Sequence, residues 1–279
     1  YTVGVLVIFY EIEMVKEYVD SCIQALNIVE NKENVTFHFC FNKSEFFENI
    51  DTSKTSIKEI EHRFKKQIKR LLDIGCKVDL DIKTNEDPIY NIAAYRRDLN
   101  YNYCEKGDFV LWGETDSLWP QDEWNLNALE SPKSYMTLEQ MNELNSKSKE
   151  LDIRILNTPK FDGSCLVISS DLIKSGANIP HALLCSGEDT SFADMAKLIM
   201  KDKYIQFVIK NILRVHNRRH PQKRLYIKDE DNPRGFCGDA KGDWWQILQS
   251  LSKTNLHKLI NNQDKFYTFN DYNNKLKEL

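Results

Sequence analysis

The chain has 279 residues, 41 % of them apolar, with a net charge of −4 and a pI near 5.9. This is enough for one large domain with a sizeable core, and the acidic balance disfavours a general nucleic-acid binder. No apolar run approaches the ~20 residues that span a bilayer, and no CxxC pair occurs among the seven scattered cysteines, so a structural zinc site is not expected.

Reduced core thiols are expected instead, which fits a cytoplasmic setting, including peripheral association with a membrane. The chain opens on Tyr1, without an initiator Met, and no secretory leader is read there. Residues 3–10 (VGVLVIFY) are almost free of polar side chains, as in a strand of a parallel sheet covered on both faces. Val15, Tyr18, Val19, Cys22, Ile23 and Leu26 then recur at helical spacing. Residues 35–41 (VTFHFCF) read as a second strand. Ile57, Ile60, Phe64, Ile68, Leu71 and Leu72 mark the buried stripe of a long helix that stops at Gly75. Residues 77–83 (KVDLDIK) alternate as a third, more exposed strand, and a helical piece over 92–103 follows.

The next stretch, residues 107–120 (GDFVLWGETDSLWP), organises the rest. Its apolar run, Phe109 to Trp112, suits a buried strand and is too short for a helix. Glu114 and Asp116 follow, one residue apart, with Trp112 and Trp119 on either side. Beyond a buried strand the chain turns, so both acids can point toward one ligand. Two hard oxygen donors suit Mg²⁺ or Mn²⁺ carrying a diphosphate. Surface carboxylates in a loop are the plain alternative. The position beyond a strand end favours the ligand, because α/β sheets bind ligands outside the carboxyl ends of their strands. Tyr10, Glu11 and Asn42 fall at two other such ends.

In the second half, 137–149 looks helical, with Thr137 and Gln140 spaced as a capping box. Residues 164–169 (SCLVIS) read as a buried strand and 171–174 as a short helical turn. Glu188 and Asp189 open a helix with Phe192, Met195, Ala196 and Ile199 on one face. Acids favour a helix start through the macrodipole. A carboxylate there also suits a general base, and local sequence does not choose between the two. Residues 204–215 carry one or two strands. Arg214, His216, Arg218, Arg219, His220, Lys223 and Arg224 then cluster. They suit a solvated basic face, a phosphate-binding loop or, through His216, a third metal ligand; phosphate contact is favoured. Trp244 and Trp245 suit a helix anchor or a stacking platform for a sugar or base. None of GxSxG, GxGxxG and GxxxxGK[ST] occurs.

Three segments in order resemble the GT-A fold glycosyltransferases, most of all family 2. VGVLVIFYEIEMVKEYVDSCIQAL is similar to the family's opening strand and helix, with Phe9-Tyr10-Glu11 where Thr-Tyr-Asn is usual. NIAAYRRDLNYNYCEKGDFVLWGETDSLWP is similar to the Arg-Asn and DxD region, matching Arg97-Asp98 and Glu114-Thr115-Asp116. FDGSCLVISSDLIKSG with GEDTSFADMAK is similar to the acceptor-side strand and the Glu-Asp motif. The resemblance covers residues 3–216. It departs at Asn42-Lys43-Ser44, where the family has an Asp for the base, and it lacks the Gln-x-x-Arg-Trp motif of processive members.

The resemblance implies an α/β fold, a GT-A Rossmann-like mixed sheet flanked by helices. It implies a transferase domain over 1–220 (a nucleotide half to about 120, an acceptor half beyond) and a helical extension over 221–279. It implies transfer of one sugar from a nucleotide-diphosphate sugar, most of all a UDP-sugar, to a glycan, lipid-linked or other hydroxyl acceptor, with inversion. Phe9, Tyr10, Glu11, Asn42 and Arg97 would lie near base and ribose, and Arg214 and Arg218 near the diphosphate. Asp116, Glu114 and His216 would hold Mn²⁺ or Mg²⁺, with Thr115 between the acids at the donor. Asp189, beside Glu188, would be the general base, and Trp119, Trp244 and Trp245 would shape the acceptor side. A retaining transferase, a nucleotidyltransferase of the same fold, and a non-catalytic nucleic-acid- or glycan-binding module on a decayed fold are the alternatives.

Overall fold

Seven residues of nearly pure β-branched and apolar character, Thr2–Ile8, form the first strand, β1, at the centre of the main sheet. The structure, a computed structural model, describes residues 1–42, 56–83, 92–119, 137–145, 152–157, 163, 165–183, 187–209, 214–217, 220, 242–268, 271 and 274–275. After β1 come α1 (Val15–Ala25), β2 (Thr36–Asn42), α2 (Ile57–Asp73), β3 (Lys77–Lys83), α3 (Ile92–Tyr103), β4 (Phe109–Gly113) and β5 (Ser117–Leu118). The second half holds α4 (Leu138–Asn145), β6 (Ile153–Ile155), β7 (Cys165–Ser169), α5 (Ser170–Lys174), α6 (Glu188–Met200), β8 (Phe207–Ile209), β9 (Val215–His216) and α7 (Gly242–Ile260).

The main sheet has the order β3-β2-β1-β4-β7. Its first four strands are parallel, as the strand-helix alternation requires, and β7 joins β4 antiparallel, with Gly113 opposite Cys165. The result is the mixed α/β sheet flanked by helices that the resemblance implies. Strand alternation divides the core. Val3, Val5, Val7, Phe37, Phe39 and Phe41 meet α1 and α2 on one face. Leu6, Cys40, Val110, Trp112 and Ile168 meet α3, α5 and α6 on the other. β3 at the edge is half-exposed along its length, as its alternation predicts.

Local signals set several boundaries. Ser56 caps α2 by accepting from the Glu59 N–H at 3.2 Å, and Gly75, at φ 99°, ends the turn after it. Thr137 and Gln140 form the reciprocal capping box at 3.0 and 3.2 Å. The cysteines at 22, 40, 76, 104 and 165 are buried thiols outside any disulfide; Cys185 and Cys237 lie outside the described residues. Among the described residues, no helix is long and apolar enough to cross a membrane.

Two expectations need correction. β1 stops at Ile8 and a 3-10 helix, Phe9–Met14, follows, so the chain turns away from the sheet before Tyr10. Leu72 is 49 % exposed, because it follows Leu71 by a 100° step and leaves the stripe that Ile60, Phe64, Ile68 and Leu71 bury.

Helix α3 crosses β1 closely. A Cβ built on Gly4 would lie 2.0 Å from a Leu99 methyl, and Leu99 is itself buried. Gly4→Ala is therefore expected to cost about 1–3 kcal/mol in urea denaturation through overpacking. Adding Leu99→Ala should make the glycine substitution nearly neutral in that background; equal cost in both backgrounds would contradict the contact.

Candidate functional site

The site is built where β4 ends. Gly113 closes that strand with no room for a side chain, since a Cβ there would lie 2.7 Å from the Tyr18 hydroxyl. The chain then turns through Glu114 to Asp116 into β5. β5 is only two residues long, but it pairs antiparallel with β9, setting Ser117 opposite His216. The Asn217 N–H donates to the Asp116 carbonyl at 2.6 Å and extends that clasp. His216 Nε2 thus stands 3.1 Å from a Glu114 oxygen and 3.2 Å from an Asp116 oxygen.

One ligand atom each from Glu114, Asp116 and His216 lies within 4.8 Å of the others. Neighbouring donors on an octahedral Mg²⁺-sized ion are ~3 Å apart. Carboxylate and imidazole are both donor types that divalent ions accept, so the residues fit such an ion. Without one, the imidazole and the carboxylates hold each other. Burial works to lower the His216 pKa, but the charges of Asp116 and Glu114 and their hydrogen bonds outweigh it and push it up to about 9. Burial works to raise Glu114, but the hydrogen bond and charge of His216, then the charge of Arg96, hold it well below the usual carboxylate range.

Arg96 ties this cluster to the second half of the chain. Its guanidinium, 1 % exposed, donates to Glu114 at 2.9 Å, to Glu188 at 2.6 Å and to the Gly163 carbonyl. It also lies 4.9 Å from the centroid of the Trp112 ring, a cation–π contact. Gly163 is needed for that approach, because a Cβ there would sit 2.6 Å from Arg96 Nη1. The same built Cβ would lie 3.4 Å from Asp189 Oδ2, so the Asp189 carboxylate lies beside Gly163. Asp189 Oδ1 accepts from the Thr190 N–H at 2.7 Å and from the Thr190 hydroxyl at 3.3 Å. Glu188 is buried and its pKa is raised by burial, against the pull of Arg96.

The expected residues distribute as follows. Glu11 accepts from the Thr115 hydroxyl at 3.1 Å, which joins the turn after β1 to the Glu114–Asp116 turn. Arg97, expected near base and ribose, donates to the carbonyls of Pro180 and Leu183 at 3.1 and 3.5 Å, and it is Arg96, which the sequence did not single out, that meets the carboxylates. The two arginines are one helical step, 100°, apart and cannot face the same group. Trp119 is 3 % exposed and packs edge-on to Tyr18, so its ring belongs to the core and offers no open face to an acceptor. Arg214 is fully buried beside β9, and His220 meets Glu17 at 2.8 Å, so these members of the basic cluster form no open anion-binding surface. Arg218 lies outside the described residues, as do the side chains of Phe9, Tyr10, Asn42, Trp244 and Trp245.

Arg97 lines a cavity of about 510 Å³ with Pro180, His181, Ala182 and the segment after α7, including Phe266 and Tyr267. Asn255 pins that segment, exchanging hydrogen bonds with the Tyr267 backbone at 2.7 and 2.8 Å.

No family model matches the chain, and no curated protein matches it. Among solved structures, S. aureus TarS aligns at 14 % identity over 77 % of this chain and 34 % of that one, with a TM-score of 0.43. TarS 1-349 in complex with UDP aligns at 15 % identity over 77 % of this chain and 57 % of that one, with a TM-score of 0.42. TarS 1-349 in complex with UDP-GlcNAc gives 15 % and 0.39 over 77 % and 56 %. The chain thus spans about a third of the length of TarS and under three fifths of its 1-349 fragment.

Removing the Arg96 charge takes the cation from Glu188 and leaves Glu114 with His216 alone. Arg96→Met is expected to destabilise the protein by about 3–5 kcal/mol in urea denaturation, the cost of breaking a buried ion pair from one side. A loss under ~1 kcal/mol would show that the guanidinium does not hold the cluster.

Proposed function

We propose that the chain is a nucleotide-sugar transferase of the GT-A type, most similar to family 2, that moves one sugar to an acceptor hydroxyl with inversion. The observation that carries this reading is the convergence of Glu114, Asp116 and His216 donor atoms within 4.8 Å, at the carboxyl end of β4. Strand ends of this kind are where α/β sheets bind nucleotides. Glu114, Asp116 and His216 would hold Mn²⁺ or Mg²⁺, with Asp116, 4 % exposed, as the firmest ligand. When bound, the ion would supply Lewis-acid stabilisation of the negative charge on the departing diphosphate.

The chain's own residues perform the rest. Phe9, Tyr10 and Asn42, at the ends of β1 and β2, are assigned to the nucleoside of a UDP-sugar, and Glu11 steadies Thr115 from the same side. Arg218 is assigned to the diphosphate. Asp189 is the general base: Thr190 holds Oδ1, and Oδ2, toward Gly163, takes the proton of the acceptor hydroxyl. The acceptor oxygen bonds to the anomeric carbon as the bond from that carbon to the diphosphate breaks. The nucleoside diphosphate leaves with the bonding electrons, and the configuration inverts. Glu188, bonded to Arg96, positions the start of α6 and so Asp189. Trp244 and Trp245, in the first turn of α7, are assigned to the acceptor side.

With a UDP-sugar and an acceptor series, Asp189→Asn is expected to lower transfer by about 10²–10⁴-fold while UDP binding persists. Wild-type turnover in that variant would remove Asp189 from the chemistry. A product that keeps the donor's configuration, or release of pyrophosphate, would assign the site to a retaining transferase or a nucleotidyltransferase.

A further inference from the structure

Away from the carboxylate cluster, β6 and β8 form a two-stranded antiparallel ribbon separate from the main sheet. Its register sets Ile153 opposite Ile209 and Ile155 opposite Phe207. Cross-strand partners share a face, and so do residues two apart on one strand. These four side chains therefore make one apolar row, and Ile205 lies two residues before it in the chain. Ile209 is buried at one end of the row. The rest faces out: Ile153 is 55 % exposed, Ile155 70 % and Phe207 46 %, and Ile205 is 70 % exposed as well. Single exposed apolar residues are ordinary; a contiguous row on a ribbon marks a contact surface.

The charge beside the row selects the partner. The stretch that leads into the row, residues 194–209, holds Lys197, Lys201 and Lys203 against Asp194 and Asp202, a net positive charge within a chain of net −4. Lys201 and Lys203 are exposed in the 3-10 turn just before Ile205. On the ribbon, Arg154 is already neutralised by Asp152, at 2.9 and 3.0 Å. We infer that this ribbon seats the protein on an anionic lipid bilayer, the isoleucines and Phe207 entering the acyl boundary and the lysines meeting acidic headgroups. A second copy of the chain fits less well. A two-fold contact would bring the same lysines together across the interface. Side chains of this size also expose only a few hundred Å², below the ~800 Å² per partner of a stable interface. The inference is independent of sugar transfer, because none of these residues belongs to the carboxylate cluster.

The test is flotation with phosphatidylcholine vesicles and with vesicles in which a third of the lipid is phosphatidylglycerol. Wild type is expected to partition at least tenfold more onto the anionic vesicles at low salt, and to detach as salt rises. Ile155→Glu, at an exposed position, should lose at least tenfold of that binding with an unchanged melting temperature. Lys201→Glu with Lys203→Glu should do the same. Binding of wild type to neither vesicle, or equal binding by wild type and Ile155→Glu, overturns the inference. So does a dimer in light scattering that Ile155→Glu dissolves, which would give the ribbon to a second copy.

Discussion

A single buried guanidinium holds the two halves of the site together. Arg96 is almost inaccessible to water, so its charge must be matched inside the protein. It is matched by Glu114 from the end of β4, by Glu188 from the start of α6 and by the Gly163 carbonyl before β7. These groups lie up to 92 residues from Arg96 in the chain. The face of Trp112 gives the cation a further boundary. Because each partner is also buried or half-buried, displacing any one would leave charge uncompensated in a medium of low dielectric. The position of the α6 start, and with it Asp189, is thereby referenced to the same atom group as the carboxylates on β4.

The second constraint is short and topological. β5 and β9 contribute two residues each, yet their pairing sets His216 opposite Ser117 and brings its imidazole to Asp116. The imidazole held between Glu114 and Asp116 occupies the space in which two carboxylates alone would repel each other. The cluster therefore stays assembled in the folded chain, with carboxylate and imidazole donors already converged. Glu188 and Asp189 divide by environment as well. Glu188 is buried against Arg96 and serves geometry, whereas Asp189 is half-buried and has one oxygen near Gly163, the residue whose carbonyl Arg96 also binds.

Much of this was readable from residues alone. The alternation of apolar runs with helical stripes marks β1 through β4 and the three helices between them, because a parallel sheet covered on both faces demands such runs. Glu114 and Asp116 stand out because they follow a buried strand at the edge where α/β sheets bind ligands. Three things were hidden. The antiparallel direction of β7 leaves no local signature, since its apolar pattern is the same either way. The β5–β9 pairing is two residues deep and joins segments far apart in the chain, so no periodicity reveals it, although His216 depends on it. The choice between Arg96 and Arg97 turns on a 100° step around α3, and that helix is buried nearly all round, so amphipathicity does not set its phase. Trp119 shows the limit of the resemblance: it was expected to shape the acceptor side, and packing against Tyr18 takes it into the core instead.

The central claim is that Glu114, Asp116 and His216 form a divalent-metal seat for a nucleoside diphosphate. It is tested most directly by titrating UDP into the protein calorimetrically, in Mn²⁺ and in EDTA, for wild type and Asp116→Asn. Binding to wild type is expected to weaken at least tenfold when Mn²⁺ is withdrawn, and Asp116→Asn is expected to bind equally weakly in both buffers. Equal affinity of wild type with and without Mn²⁺, or an Asp116→Asn variant that keeps the Mn²⁺ effect, would contradict it.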